Sequence, residues 1–164
     1  FASLGFAGYL TKPVRARELF ECMDRVLSRN AREWHMQSQP IVTRGSLTNE
    51  KTRRYQGHVL LVEDNAVNQK VAVRFLERMG CKVRVADNGA EGVKAWRDGR
   101  FDIVLMDLQM PVMDGLTATR RIREIEQDLG RRTTPIVALT ANAMSGQLER
   151  CLEAGMNGFL SKPL

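Results

Sequence analysis

The 164-residue chain is 43% apolar and 27% charged and carries a net charge of +6, a balance expected of one globular domain with some fifty residues to spare. No apolar run approaches the roughly 18 residues needed to cross a bilayer, so membrane contact is not expected. Three widely spaced cysteines, Cys22, Cys81 and Cys151, suit a reducing, cytoplasmic setting better than a disulfide framework or a zinc site.

The chain opens at Phe1 in mid-pattern with no signal-peptide features, which reads as a piece of a longer protein. Val14 to Trp34 predicts a long amphipathic helix, with Leu19, Met23, Val26 and Leu27 on one stripe, joined by Phe20 and Trp34. Residues 37–57 are polar and aperiodic, as a linker would be. From His58 the pattern alternates. The spacing predicts strands at 58–62, 82–85, 101–106, 135–139 and 158–160. Between them it predicts helices at 65–79, 90–96, 114–127 and 145–154. The first helix is expected to use Val67, Val71, Phe75, Leu76 and Met79 as its apolar face. Five strands and four helices in strict alternation call for a parallel sheet covered on both faces.

Residues 1–57 hold ten Lys/Arg against five Asp/Glu, and residues 58–164 hold fifteen against fourteen. The basic excess therefore sits outside the patterned region, without a nucleic-acid motif or an aromatic platform, and direct nucleic-acid binding is not expected.

One internal repeat stands out. Gly5-Phe-Ala-Gly-Tyr-Leu-Thr-Lys-Pro-Val14 matches Gly155-Met-Asn-Gly-Phe-Leu-Ser-Lys-Pro-Leu164, with the same glycines, leucine, lysine and proline at matched spacing. Residues 1–36 are thus expected to be the last strand and helix of a preceding, similar repeat, with 37–57 as linker and 58–164 as a domain lacking its own final helix.

Chemically active side chains fall at the ends of four predicted strands: Glu63 and Asp64 after the first, Asp107 after the third, Thr140 after the fourth and Lys162 after the fifth. In an open parallel sheet these ends share one crevice. Three carboxylates crowded together repel one another unless a cation neutralises them, and hard oxygen donors suit Mg²⁺. A carboxylate in such a site can attack a phosphoryl group and form an acyl phosphate. Each residue has a blander explanation when taken singly: Glu63-Asp64 as a solvated helix start, Asp107 as a loop acid, Thr140 as a strand end. The five in register argue against that. His35 and His58 read as surface residues, and Trp96 as core.

The segments Val59–Asn65 (VLLVEDN), Asp102–Pro111 (DIVLMDLQMP) with Met113-Asp-Gly115, Ala138–Ala141 (ALTA) and Phe159–Pro163 (FLSKP) resemble the response-regulator receiver domain of two-component signalling. The run Glu63-Asp-Asn-Ala-Val-Asn-Gln69 is most similar to receivers of hybrid sensor histidine kinases, and the linker piece Val42–Leu47 resembles the stretch that precedes such receivers. The resemblance covers residues 58–164. It implies a flavodoxin-like sheet of order 2-1-3-4-5. It also implies Asp107 as phosphoacceptor, Asp64 and Glu63 with Asp107 and the Gln109 carbonyl as Mg²⁺ ligands, and Thr140 and Lys162 as phosphoryl partners. Thr140 and Phe159 would form the switch, and Pro163 would follow a cis bond.

The expected function is phosphoryl transfer from a phosphohistidine onto Asp107, with a histidine kinase core or a histidine phosphotransfer domain as partner and slow self-dephosphorylation. The piece itself holds no kinase core; the parent is expected to be a hybrid histidine kinase, anchored or not to the inner membrane. The rival reading is a phosphorylation-independent interaction scaffold on the same fold. Phosphohydrolase and flavin readings fare worse: Asp107 is followed by Leu-Gln rather than a second Asp, and no Ser/Thr/Gly-rich phosphate loop follows the first strand. The helix at 14–34 is expected to stand in for the missing last helix, within one chain or exchanged between two in a dimer.

Overall fold

The computed structural model describes residues 56–141 and 145–162. The expectations for the helix at 14–34, the linker, Cys22, His35 and Pro163 lie outside the described residues. The described part is a five-stranded parallel sheet of order β2-β1-β3-β4-β5. In chain order the elements are β1 (His58–Val62), α1 (Ala66–Arg78), β2 (Lys82–Ala86), α2 (Gly89–Asp98), β3 (Ile103–Asp107), α3 (Gly115–Asp128), β4 (Ile136–Thr140), α4 (Ser145–Glu153) and β5 (Gly158–Ser161). The expected flavodoxin-like order is the one found. Among the described residues no helix is long and apolar enough to cross a membrane.

The central strands are apolar throughout because helices flank the sheet on both sides. Alternation along each strand divides their side chains between two cores. Leu60, Val62, Val104, Met106, Ile136 and Ala138 pack towards α2, α3 and α4, while Val59, Leu61, Ile103, Leu105, Val137 and Leu139 pack on the side of α1. Trp96 joins the first core, as expected, and its indole N–H donates to Thr134 Oγ1 at 3.1 Å.

Side-chain caps set the helix starts. Asn65 Oδ1 accepts from the amides of Val67 and Asn68, Asn88 Oδ1 from Glu91, and Asp114 Oδ1 from Thr117, each satisfying amides that have no partner within the helix. Gly80 ends α1 at φ 89°, where a left-handed residue closes the last turn; the Cys81 amide returns to the Leu76 carbonyl at 3.0 Å.

Two expectations need correction. Val67 is 68% exposed and Val71 37%, so the buried face of α1 runs through Ala72, Leu76 and the following Met79. The apolar spacing at 67 and 71 is compatible with a stripe, but that stripe lies to one side of the buried line through Ala72, Leu76 and Met79. The third and fourth strands also run one residue further than the pattern suggested, so Asp107 and Thr140 are their last residues rather than loop positions.

Arg123 on α3 ties the far edge together. Its guanidinium donates to Glu126 Oε2, to the carbonyls of Thr134 and Gly155 and to Asn157 Oδ1. Glu126 is 4% exposed and also accepts from the Thr134 amide. Removing one partner of a buried ion pair strands the other charge. Arg123→Ala is therefore expected to lower stability by about 3–5 kcal/mol in urea unfolding, with Arg123→Lys recovering only part because one ammonium cannot serve four acceptors.

Candidate phosphoacceptor site

The site lies at the carboxyl ends of β1, β3, β4 and β5, where parallel pairing brings Val62 beside Met106, Asp107 beside Leu139 and Thr140 beside Ser161. Glu63, immediately after β1, is 1% exposed, and Asp107 is 4% exposed. Asp64 faces solvent. Ligand-capable oxygens of Glu63, Asp64 and Asp107 lie within 4.8 Å of one another. The three predicted carboxylates are therefore brought together.

Lys162 completes the cluster. Its ammonium donates to Asp107 Oδ2 at 2.5 Å and forms an ion pair with Glu63 Oε2 at 2.7 Å. That Glu63 oxygen is buried, and the Lys162 ammonium is what balances its charge. The backbone secures the lysine, since the Lys162 amide donates to the Thr140 carbonyl at 2.7 Å. Burial pushes the Asp107 carboxyl above its ordinary 3.8; the Lys162 hydrogen bond works against that, and the charge of Glu63 adds to it. Burial disfavours the Lys162 ammonium, but its contacts with Asp107 and Glu63 outweigh this and raise its pKa above 10.5.

The loop after β3 is shaped around Asp107. The Gln109 amide donates to Asp107 Oδ1 at 3.2 Å, fixing the carboxylate rotamer. Gly115 passes so close that an added Cβ would lie 2.1 Å from the Asp107 carbonyl oxygen. Between them, the Met113 amide donates to the Pro111 carbonyl at 2.7 Å across Val112, whose φ is 68°. This is γ-turn bonding around a β-branched residue, a strained arrangement, and it leaves Val112 86% exposed beside the site.

Thr140 is 3% exposed and its hydroxyl donates to Gln147 Oε1 on α4 at 3.2 Å. Phe159 does not join the carboxylates. It is half-buried in β5, packed against the core that holds Cys151 and Met156, and lines a shallow cleft with Leu148 and Leu152. His58 opens β1 on the surface, as expected.

Sequence reasoning missed three supports. Asn68 Nδ2 donates to Glu63 Oε1 at 2.9 Å, and Gln69 Nε2 bridges the Glu63 carbonyl at 2.6 Å and Asp87 Oδ1 at 2.8 Å. Their signal was present in the run Glu63–Gln69, where a helix that starts immediately after the acids turns positions 68 and 69 back toward them. Gln147 had no comparable signal.

The family model for the response regulator receiver domain matches residues 59–164. The chain belongs to that family. It is 48% identical over 109 residues to hybrid signal transduction histidine kinase K of Dictyostelium discoideum, a match covering 64% of this chain and 9% of that protein. The chain thus spans less than a tenth of the length of that protein and of the hybrid signal transduction histidine kinases G and M of the same organism. Among solved structures it is similar to the receiver domain of the sensor histidine kinase PA1611 from Pseudomonas aeruginosa, which has a magnesium ion coordinated in its active site cleft. Identity is 48% and the TM-score 0.59, covering 66% of this chain and 87% of that one. It is also similar to the Saccharomyces cerevisiae response regulator Ssk1 receiver, crystallised with the histidine phosphotransfer protein Ypd1, at 36% identity and a TM-score of 0.62, covering 66% and 80%. The receiver fold and the role of a phosphorelay receiver expected from the sequence are borne out.

Because the folded state holds the Asp107 proton more tightly than the unfolded chain does, ionised Asp107 costs stability as pH rises from 3.8 through its raised folded value. Asp107→Asn removes that slope. The Tm of the variant relative to the parent chain is expected to grow more favourable from pH 4 to pH 7, and a pH-independent difference contradicts this assignment.

Proposed function

We propose that Asp107 is the phosphoacceptor of this receiver. The single observation that carries the reading is the Lys162 ammonium on Asp107 Oδ2 and Glu63 Oε2 at once, which puts a fixed cation beside a buried carboxylate at the open end of the sheet. An Asp107 oxygen attacks the phosphorus of a phosphohistidine. A phosphorus–oxygen bond forms as the phosphorus–nitrogen bond breaks, and the imidazole leaves with the electron pair. The incoming phosphoryl oxygens would take over the Lys162 ammonium and the Thr140 hydroxyl, which supply charge and a hydrogen bond where negative charge gathers.

Three hard oxygen donors converging within 4.8 Å fit a divalent cation such as Mg²⁺. Glu63, Asp64, Asp107 and the Gln109 carbonyl would hold it. When bound, it supplies neutralising charge for the carboxylates and the phosphoryl group. Membership of the family, and the pairing of one similar receiver with a histidine phosphotransfer protein, support a phosphotransfer domain or kinase core as the partner. The similarity to hybrid kinases supports a hybrid histidine kinase as the parent.

With Mg²⁺ and a small phosphodonor, the chain is expected to gain about 80 Da by intact mass spectrometry, and Asp107→Asn is expected to gain nothing. Full labelling of the Asn variant overturns the assignment; no labelling of either chain favours the scaffold reading. A separate check concerns the cation. Millimolar Mg²⁺ should raise the Tm of the parent chain through preferential binding to the folded state. Asp64→Asn should reduce that rise, and an equal rise in both removes Asp64 from the ligand set.

A further inference from the structure

The two carboxylate oxygens of the buried Glu63 have separate partners. Oε2 meets the Lys162 ammonium at 2.7 Å. Oε1 accepts from the Asn68 side-chain amide at 2.9 Å and from the Asn65 backbone amide at 3.3 Å. The last torsion of a glutamate side chain has only a broad preference of its own, so these donors set the plane of the carboxylate. Lys162 is shared with Asp107 and is the donor that a phosphoryl group would draw away, and the Asn65 bond is the longest. Asn68 is thus the closest donor that Glu63 does not share. The start of α1 places it there. Asn65 Oδ1 accepts from the Asn68 amide at 3.2 Å, which makes Asn68 the third residue of the helix. In a capping box the side chain at that position accepts from the amide of the cap residue. Here the Asn65 amide turns to Glu63 Oε1 instead, and Asn68 donates to the same oxygen. Both donors are neutral, so they restrain the carboxylate without cancelling its charge.

We propose that Asn68 is a positioning residue for the cation site: its side-chain amide fixes the plane of the Glu63 carboxylate and so sets how tightly Glu63, Asp64 and Asp107 hold a divalent cation. The inference rests on the reading of Glu63 as a ligand given above. Asn68 acts through Glu63 and touches no reacting atom. Without its donor, Oε1 keeps only the longer Asn65 bond, and the carboxylate is free to turn until both oxygens share the Lys162 ammonium. A carboxylate engaged with the lysine in that way is less available to a cation. A lysine or arginine at position 68 would restrain Glu63 as well, but its charge would compete with the cation for the same acid; the neutral amide avoids that. Hydrogen-bonding partners behind metal ligands typically contribute about 10–100-fold to affinity.

The test titrates Mg²⁺ alone into the whole 164-residue chain by calorimetry. Asn68→Leu keeps the size of the side chain and removes its donor, and it should raise the Mg²⁺ dissociation constant about tenfold or more. The Mg²⁺ dependence of labelling by a small phosphodonor should shift by the same factor, with the rate at saturating Mg²⁺ close to that of the parent chain. Ala72→Gly, one turn further along α1, loosens the same helix; it should lower the Tm and leave the dissociation constant unchanged. If Asn68→Leu does not fold, Asn68→Ala takes its place with the same expectations. Mg²⁺ binding by Asn68→Leu or Asn68→Ala equal to that of the parent overturns the inference and leaves Glu63 in the ligand set. Equal weakening in Ala72→Gly also overturns it, because helix stability rather than the Asn68 bond would then govern affinity. No Mg²⁺ binding by the parent overturns the ligand set itself, and this inference with it.

Discussion

Everything functional in this domain depends on holding buried negative charge at the open edge of a parallel sheet. Glu63 and Asp107 are both nearly inaccessible, and isolated carboxylates are costly to bury. Parallel pairing forces the problem, because all carboxyl ends of the strands fall on one edge. Lys162 is the internal solution, an ammonium shared between two acids and secured by its own amide on Thr140. The arrangement leaves Asp107 harder to ionise than a free aspartate. An incoming phosphoryl group brings negative charge to the same cation, so the contact that stabilises the resting site is the one a phosphorylated site would reuse.

The backbone around Asp107 shows how narrow the tolerance is. Gly115 fits under the Asp107 carbonyl only because it has no side chain. The Gly89 amide at the start of α2 donates to the Met113 carbonyl at 3.0 Å, clamping the outer end of the same loop to a neighbouring helix. Between these two anchors Val112 is held at positive φ. Strain in a β-branched residue persists only where its surroundings over-determine the backbone, and here both ends of the loop are fixed by close packing.

Much of this was legible in the sequence. Strictly alternating periodicity and apolar strand runs implied the doubly wound sheet, and the positions after its strands implied the site. Two kinds of feature were hidden. Where a helix carries apolar residues beside its buried line, as α1 does at the exposed Val67, apolar spacing alone cannot separate a core stripe from an exposed one. Where a contact joins elements distant in sequence and uses an ordinary polar residue, as Gln147 does on Thr140, no local pattern marks it. Asn68 and Gln69 fall between these cases, because their spacing from Glu63 carries the contact once the start of α1 is placed at Ala66.

The Thr140–Gln147 contact gives the site a physical route outward. Gln147 stands in the first turn of α4, and later residues of that helix, Leu148, Cys151 and Leu152, line a shallow cleft together with Phe159. In the proposed cycle the Thr140 hydroxyl is wanted by the phosphoryl group, and one hydroxyl proton cannot serve that group and Gln147 together. Phosphorylation would therefore free the start of α4 at the moment it adds charge beside β4. Phe159 has no hydroxyl to exchange partners, so its response is confined to packing against that helix. In that proposed cycle the coupling would be a competition for one hydrogen-bond donor, read out as a change in how α4 sits on β5.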